Sequence, residues 1–241
     1  MKGELGRAGF KKELIVANVK RLERLVGKLE WRPGASEWSD YGPRGHYTDA
    51  DSVAKDEFVR RVAAEQEWEL AWDLGCNDGR FSRIVSEHAR TVIAMDADAA
   101  VVDGLYRSLR GERGILPLHV DVTDPSPALG WRGAERRTLT ERGSPDLTLC
   151  LALIHHVSIS ANVPVRYFLD WLRSLETKLV IEFPTTDDPL VQRLLDRKQE
   201  GTHSDYDRGY FERCLGELFD IVSSEELSSG TRVLYVAQPK V

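Results

Sequence analysis

The stretch from Trp68 to Ser82, WELAWDLGCNDGRFS, constrains this chain more than any other. Leu70, Ala71 and Trp72 form a short apolar run that ends at Asp73, residues 75–79 read Gly-Cys-Asn-Asp-Gly, and helix-compatible residues resume at Arg80. A strand, a glycine turn and a helix make a nucleotide-binding corner: small residues let the backbone approach the ligand, and helix-end N–H groups face it. Asn77 sits where a central glycine would, and asparagine is among the few residues that enter the left-handed region cheaply. A dinucleotide fingerprint would place its third glycine at position 80. Arg80 stands there, which argues against a dehydrogenase.

Length and charge set the outer bounds. With 241 residues the chain buries a full core and fits one α/β domain with an appendage. Its net charge of -6, with acidic and basic residues interspersed, announces no polybasic face and argues against nucleic acid as a partner. Cys76, Cys150 and Cys214 are odd in number and lack Cys-x-x-Cys spacing, so neither a disulfide framework nor structural zinc is expected. The N-terminus mixes charges with apolar residues, unlike a signal peptide, and the longest apolar run, Leu147 to Ile154, is far too short to span a bilayer. The expectation is a cytoplasmic protein without a membrane partner.

Between Leu14 and Leu29 apolar residues recur at helical spacing among Lys and Arg. Such a stripe packs on the core or serves as a lid or a homodimer face. Next comes an aromatic, Gly/Pro-rich loop from Trp38 to Tyr47, of a composition that often lines a substrate pocket, although its aromatics also suit gluing the appendage to the core. A second helix is expected over Asp49 to Gln66. Residues 1–60 thus read as a helical and loop appendage, and residues 61–241 as the nucleotide-binding domain.

Beyond the turn, helices and short apolar strands alternate. Thr91 to Met95 runs into Asp96, 23 residues past Asp73, near the spacing at which a carboxylate closing the second strand accepts ribose hydroxyls. Leu116 to Val120 runs into Asp121. Asp98 and Asp124 read as helix N-caps. Residues 125–142 form a long excursion that either covers the ligand or is a solvated surface helix. Asp146 to Ile154 is apolar throughout, as in a strand covered on both faces, and leads into His155 and His156. A fifth strand ends at Glu182-Phe183-Pro184, and two last strands near residues 219–222 and 232–237 close the sheet as a hairpin.

Asp73-Leu74-Gly75-Cys76-Asn77-Asp78-Gly79 resembles the first motif of class I S-adenosylmethionine (SAM)-dependent methyltransferases, Asp/Glu-x-Gly-x-Gly-x-Gly, with Asn77 as the departure. The resemblance covers about residues 60–240 and implies an α/β fold: a seven-stranded, mostly parallel, doubly wound Rossmann-like sheet whose last strand inserts antiparallel. It implies SAM as cofactor, with Asp73, Gly75 and Gly79 at the methionine end beside Cys76 and Asn77, Asp96 and Ala97 at the ribose, and Asp121 and Val122 at the adenine, Leu151 lying nearby. A fainter likeness, in Leu153-Ile154-His155-His156, Glu182-Phe183 and the run Thr231 to Tyr235, points to a bacterial subgroup with nodulation-protein-like methyltransferases.

Methyl transfer from a sulfonium is an in-line displacement, so the protein must chiefly hold nucleophile, methyl and sulfur collinear in a dry pocket. A hydroxyl acceptor benefits from a nearby base, and histidine suits neutral pH. His155 and His156 lie at the sheet edge where ligands bind in open α/β folds; adjacent residues point different ways, so at most one faces the acceptor, and the alternative is that they cap the next helix. His46 and Glu182 are further catalytic candidates, Glu182 alternatively orienting a histidine. Tyr41, Tyr47 and Trp131 are candidate acceptor contacts, while His203 and Tyr206 read as wall or surface. No carboxylate set compels a metal. The strand before His155 lacks the Asp/Asn-Pro-Pro-Tyr ending of enzymes that methylate DNA amino groups or glutamine, and no Pro-Cys loop offers a cysteine nucleophile. The expected function is methylation of oxygen or nitrogen on a small-molecule acceptor; the rivals are an RNA or protein methyltransferase and a non-catalytic methyltransferase-fold subunit.

Overall fold

Seven strands form one sheet in the order β3-β2-β1-β4-β5-β7-β6. The computed structural model describes residues 12–30 and 48–240. The strands are β1 (Trp68–Leu74), β2 (Ala89–Asp96), β3 (Ile115–His119), β4 (Leu147–Cys150), β5 (Lys178–Pro184), β6 (Phe219–Glu226) and β7 (Arg232–Pro239). The first five pair in parallel, and β7 inserts antiparallel between β5 and β6. This is the sheet that the family resemblance implied. Strand order reverses between β1 and β4, and open α/β sheets bind ligands outside the carboxyl ends of the strands at such a point.

Strand alternation sorts the core into two layers. Trp72, Cys150, Ile181, Val233 and Tyr235 fall in one buried cluster with Phe168, Leu169 and Leu172 of helix α5 (Val165–Ser174) and Phe211 and Leu215 of α7 (Arg208–Leu218). Their strand neighbours Ala71, Leu149, Val180, Leu234 and Val236 fall in a second cluster, with Phe58, Val59 and Val62 of α2 (Asp49–Ala63) and Ile84 and Val85 of α3 (Arg80–Ser86). Helix α4 (Ala99–Ser108) adds Leu105, which packs with Cys76 and Ala94. A short helix, α6 (Pro189–Leu195), follows β5.

The chain divides into two compact units, Met1–Gly34 and Ala35–Val241. The expected boundary at residue 60 therefore falls inside α2, whose apolar face belongs to the second cluster rather than to an appendage. Helix α1 (Lys12–Val26) lies in the first unit, and it buries no residue. Residues 125–142 hold two short 3-10 turns, Trp131–Gly133, flanked by a Leu129–Arg136 bridge, and Thr140–Arg142, so the surface helix offered as one reading does not form. Asp98 caps α4 as expected, through the N–H groups of Ala100 and Val101. No helix follows Asp124, which instead closes a turn onto the Asp121 carbonyl. Among the described residues no helix is long and apolar enough to cross a membrane.

Candidate functional site

A cavity of about 630 Å³ opens at the strand-order reversal, within the 300–1,000 Å³ usual for ligand pockets. Its first wall is the turn after β1. Gly75 (φ 72°) and Asn77 (φ 48°) are both left-handed, and the N–H groups of Gly75 and Cys76 donate to the Met95 carbonyl at 2.8 and 2.9 Å, which folds the turn onto the end of β2. Asp96 then accepts the Asn77 N–H on Oδ2 (3.0 Å) and the Asp98 N–H on Oδ1 (2.9 Å). These two bonds fix a mostly buried carboxylate on the cavity wall. Ala97 lies beside it. From the end of β3, Asp121 and Val122 join the wall, with Asp121 Oδ1 held by the N–H and hydroxyl of Thr123.

Asp73 and Gly79 stand behind this wall rather than on it. Asp73 is buried and accepts the Ser82 hydroxyl at 2.5 Å; burial, the largest influence, pushes its pKa up to about 6. Gly79 (φ 77°) starts α3 with its Cα against Leu105. Both shape the turn. Burial also pushes the Cys76 thiol up, so it is a packing residue, not a nucleophile.

The other wall comes from the chain after β4, where Leu151, Ala152 and Leu153 lead into His155 and a π-turn, His156–Ser160. Ala152 carries a side chain at φ 50°, a strained conformation of the kind that concentrates at functional sites. Of the two histidines, whose ring centroids lie 4.0 Å apart, His156 lines the cavity while His155 is fully buried. Neither nitrogen of His155 has a hydrogen-bond partner among the described residues. Burial, and then the positive charge of Arg232, push the His156 pKa down to about 4. His155 is held well below the usual range by burial, by His156 and by the cations Arg232 and Lys55. Both rings are neutral at physiological pH.

Asp49, Ser52 and Lys55 of α2 and Arg80 and Phe81 of α3 complete the lining. Lys55 Nζ donates to Glu182 Oε2 at 2.5 Å and lies 4.9 Å from the Phe81 ring centroid. Arg232 donates to Glu182 Oε1 at 3.0 Å and to Asp188 Oδ2 at 2.7 Å. Burial alone would raise the Glu182 pKa, but Lys55 and Arg232 outweigh it and hold the carboxylate below its usual range. Glu182, an expected catalytic candidate, is thus the centre of a buried ionic chain joining α2, β5, β7 and the cap of α6. Trp131 is 77% exposed and does not line the cavity. Tyr206 is core, its hydroxyl bonded to the Pro184 carbonyl. Tyr41, His46 and Tyr47 lie outside the described residues. Among the described residues no group of three or more His, Cys, Asp or Glu is placed to hold a metal ion.

Lys55, Phe81 and Asp49 were missed from sequence, though one signal existed. Lys55, Phe58, Val59 and Val62 share the buried stripe of α2, and a lysine on such a stripe marks a paired or functional charge.

The strand order, the left-handed turn and the carboxylates closing β2 and β3 define a Rossmann-like fold of the kind seen in class I methyltransferases. In sequence it is 32% identical over 202 residues to the nodulation protein NoeA of Rhizobium meliloti (strain 1021). That match spans 83% of this chain but 42% of NoeA, so the chain covers less than half the length of this relative. No family model matches. Among solved structures, N-methyltransferase NodS from Bradyrhizobium japonicum WM9 in complex with S-adenosyl-L-homocysteine superposes with a TM-score of 0.58 at 12% identity, covering 85% of this chain and 100% of that one. Magnesium protoporphyrin IX methyltransferase from Synechocystis PCC 6803 with bound S-adenosyl-L-homocysteine superposes with a TM-score of 0.52 at 16% identity, covering 92% and 94%.

Proposed function

We propose that the protein is a SAM-dependent methyltransferase acting on nitrogen or oxygen of a small molecule. The observation that carries this reading is the Asp96 carboxylate, anchored by the N–H groups of Asn77 and Asp98 on the wall of a ligand-sized cavity at the strand-order reversal. A carboxylate so fixed accepts a ribose diol without reorganising. The fold relatives crystallised with S-adenosylhomocysteine, and the NoeA relationship, support the same reading.

The residues present fit the cofactor. Gly75, Cys76, Asn77 and Asp78 would receive its methionine end, Asp96 and Ala97 the ribose, and Asp121 and Val122 the adenine, with Leu151 packed nearby. When bound, SAM supplies a methyl group made electrophilic by the adjacent sulfonium. The chain positions the acceptor: His156, Ser52, Lys55 and Phe81 line that part of the cavity. A dry pocket favours transfer to the acceptor over loss to water. Calorimetric titration with S-adenosylhomocysteine, with NAD as control, tests the proposal: micromolar binding of the former alone supports it, and binding of NAD alone sinks it.

A further inference from the structure

The chain passes from β3 to β4 without an α-helix, and none of residues 125–142 lines the cavity. Two features anchor this crossing. Leu139 is buried in the first cluster, and the Thr138 N–H and hydroxyl both donate to Glu141 Oε2 at 2.8 Å. Backbone bonds of 3.0 Å in each direction between Leu129 and Arg136 close a small loop between them. Gly130 (φ 86°) and Arg132 (φ 59°) are left-handed on either side of Trp131, so the chain reverses there and Trp131 stands at the tip.

Trp131 is 77% exposed, whereas Trp68 and Trp72 are buried and Trp171 packs against the first cluster. Leu129 beside it is exposed as well. An anchored loop that leaves a tryptophan in solvent presents apolar area that the core does not use. Arginines surround it. Arg132 follows Trp131 directly, Arg136 is bridged to Leu129, and Arg142 Nε donates to the Arg137 carbonyl at 3.0 Å, which brings the fourth arginine back to the third. All four are exposed. Among the described residues none of them has a carboxylate within ion-pair distance, unlike Arg60, Arg61 and Arg90, which hold Glu87, Glu225 and Glu69. The loop's own two carboxylates do not answer them. Glu141 is taken by Thr138, with Arg137 the least of the influences that lower its pKa, and Glu135 packs against Gly130.

Tryptophan and arginine are over-represented at binding hot spots, and a guanidinium can hold a carboxylate through two parallel hydrogen bonds. A fitting partner therefore carries negative charge beside an apolar group. Its extent is bounded by the rest of the chain: the loop has four arginines against two glutamates, in a protein of net charge -6. A long phosphate backbone would run off the patch onto a repelling surface, whereas a short acidic segment ends within it. We propose that residues 129–142 dock an acidic polypeptide segment, its carboxylates paired with Arg132, Arg136, Arg137 and Arg142 and one apolar side chain laid on Trp131. The loop lies outside the cavity, so docking here is independent of what the cavity binds.

The test is fluorescence anisotropy of the full chain at low salt with a fluorescein-labelled peptide of three Glu-Asp-Phe-Asp repeats. The same peptide with Gln and Asn in place of Glu and Asp, a twelve-nucleotide oligouridylate, and vesicles of phosphatidylcholine with phosphatidylglycerol are the comparison probes. The acidic peptide is expected to bind with a dissociation constant on the order of 10–100 μM, and its neutral counterpart at least about tenfold more weakly. Trp131→Ala should lose about tenfold, and Arg136→Glu combined with Arg137→Glu about tenfold or more. Both variants change exposed side chains only, so melting temperatures equal to the parent's separate a lost surface from a lost fold. The proposal is overturned by no binding of the acidic peptide at about 1 mM, by binding that neither variant weakens, or by tighter binding of the oligouridylate or the vesicles. It is also overturned if the parent is a dimer that Trp131→Ala dissolves, since a second copy would then cover the loop.

Discussion

Asp96 and Asp73 close and open the same turn, yet their environments assign them different work. Asp96 has both oxygens held by backbone N–H groups and faces the cavity, so Asp96→Ala removes the ribose acceptor and orphans the Asn77 N–H together. Hydrogen bonds to charged groups contribute about 1.5–3 kcal/mol, so the dissociation constant for S-adenosylhomocysteine should rise by roughly 10- to 150-fold, as read by calorimetry. Unchanged affinity would remove Asp96 from the site. Asp73 has a folded-state pKa of about 6, above the ordinary 3.8. A raised carboxylate pKa stabilises the fold below pH 3.8, and that stabilisation is lost as pH rises through 6. At neutral pH the fold carries a buried charge at a cost on the order of 3 kcal/mol. Asp73→Asn, which can still accept the Ser82 hydroxyl, should therefore raise the urea midpoint of the unliganded protein at pH 7, with the gain fading toward pH 4. Spacing pointed to Asp96 and the family resemblance nominated Asp121, each a carboxylate just past a short apolar run, which is a local pattern. Lys55, Glu182 and Arg232 meet from positions far apart in sequence, and no local pattern announces their pairing.

At the level of elements, the glycine turn and the ionic chain fasten helices to the cavity in different ways. A Cβ on Gly79 would come within 2.5 Å of Leu105 Cδ1, at a backbone φ of 77° that side chains resist. Gly79→Ala should cost on the order of 2 kcal/mol or more, from left-handed strain and from displacing α4, and it should weaken S-adenosylhomocysteine binding through the shifted turn. Thermal denaturation with and without the ligand separates the two effects. Glu182 is the common partner of Lys55 and Arg232, all three on the face that holds Val180, Leu234 and Val236. Glu182→Gln leaves two buried cations undercompensated, and breaking a buried pair in this way costs about 3–5 kcal/mol. The loss should appear in the denaturation midpoint, at odds with a role confined to catalysis. Periodicity anticipated the helices and strands to within a few residues. It did not anticipate the 3-10 turns of residues 125–142, because they rest on the Leu129–Arg136 bridge, the left-handed Arg132 and Glu141 accepting from Thr138 rather than on a repeating apolar pattern.

For the molecule as a whole, the division into two units sets where stability and ligand linkage reside. The apolar side chains of α1 are exposed, with Leu22 and Leu25 each at 58%, and none enters the three buried clusters, which draw on residues from Phe58 onward. Among the described residues, the buried apolar clusters thus lie within the unit Ala35–Val241, which also contains every described residue lining the cavity. A chain beginning at residue 35 should therefore unfold in a single cooperative transition with a melting temperature close to that of the full chain. Ligand linkage should survive as well. A ligand present at 100 times its dissociation constant stabilises by about 2.7 kcal/mol, which for a chain of this size is a shift of roughly 5–10 °C. Scanning calorimetry of both chains with saturating S-adenosylhomocysteine checks this. Equal shifts place binding and stability in the larger unit, whereas a shortened chain that folds but no longer shifts would mean that residues 1–34 contribute to ligand binding.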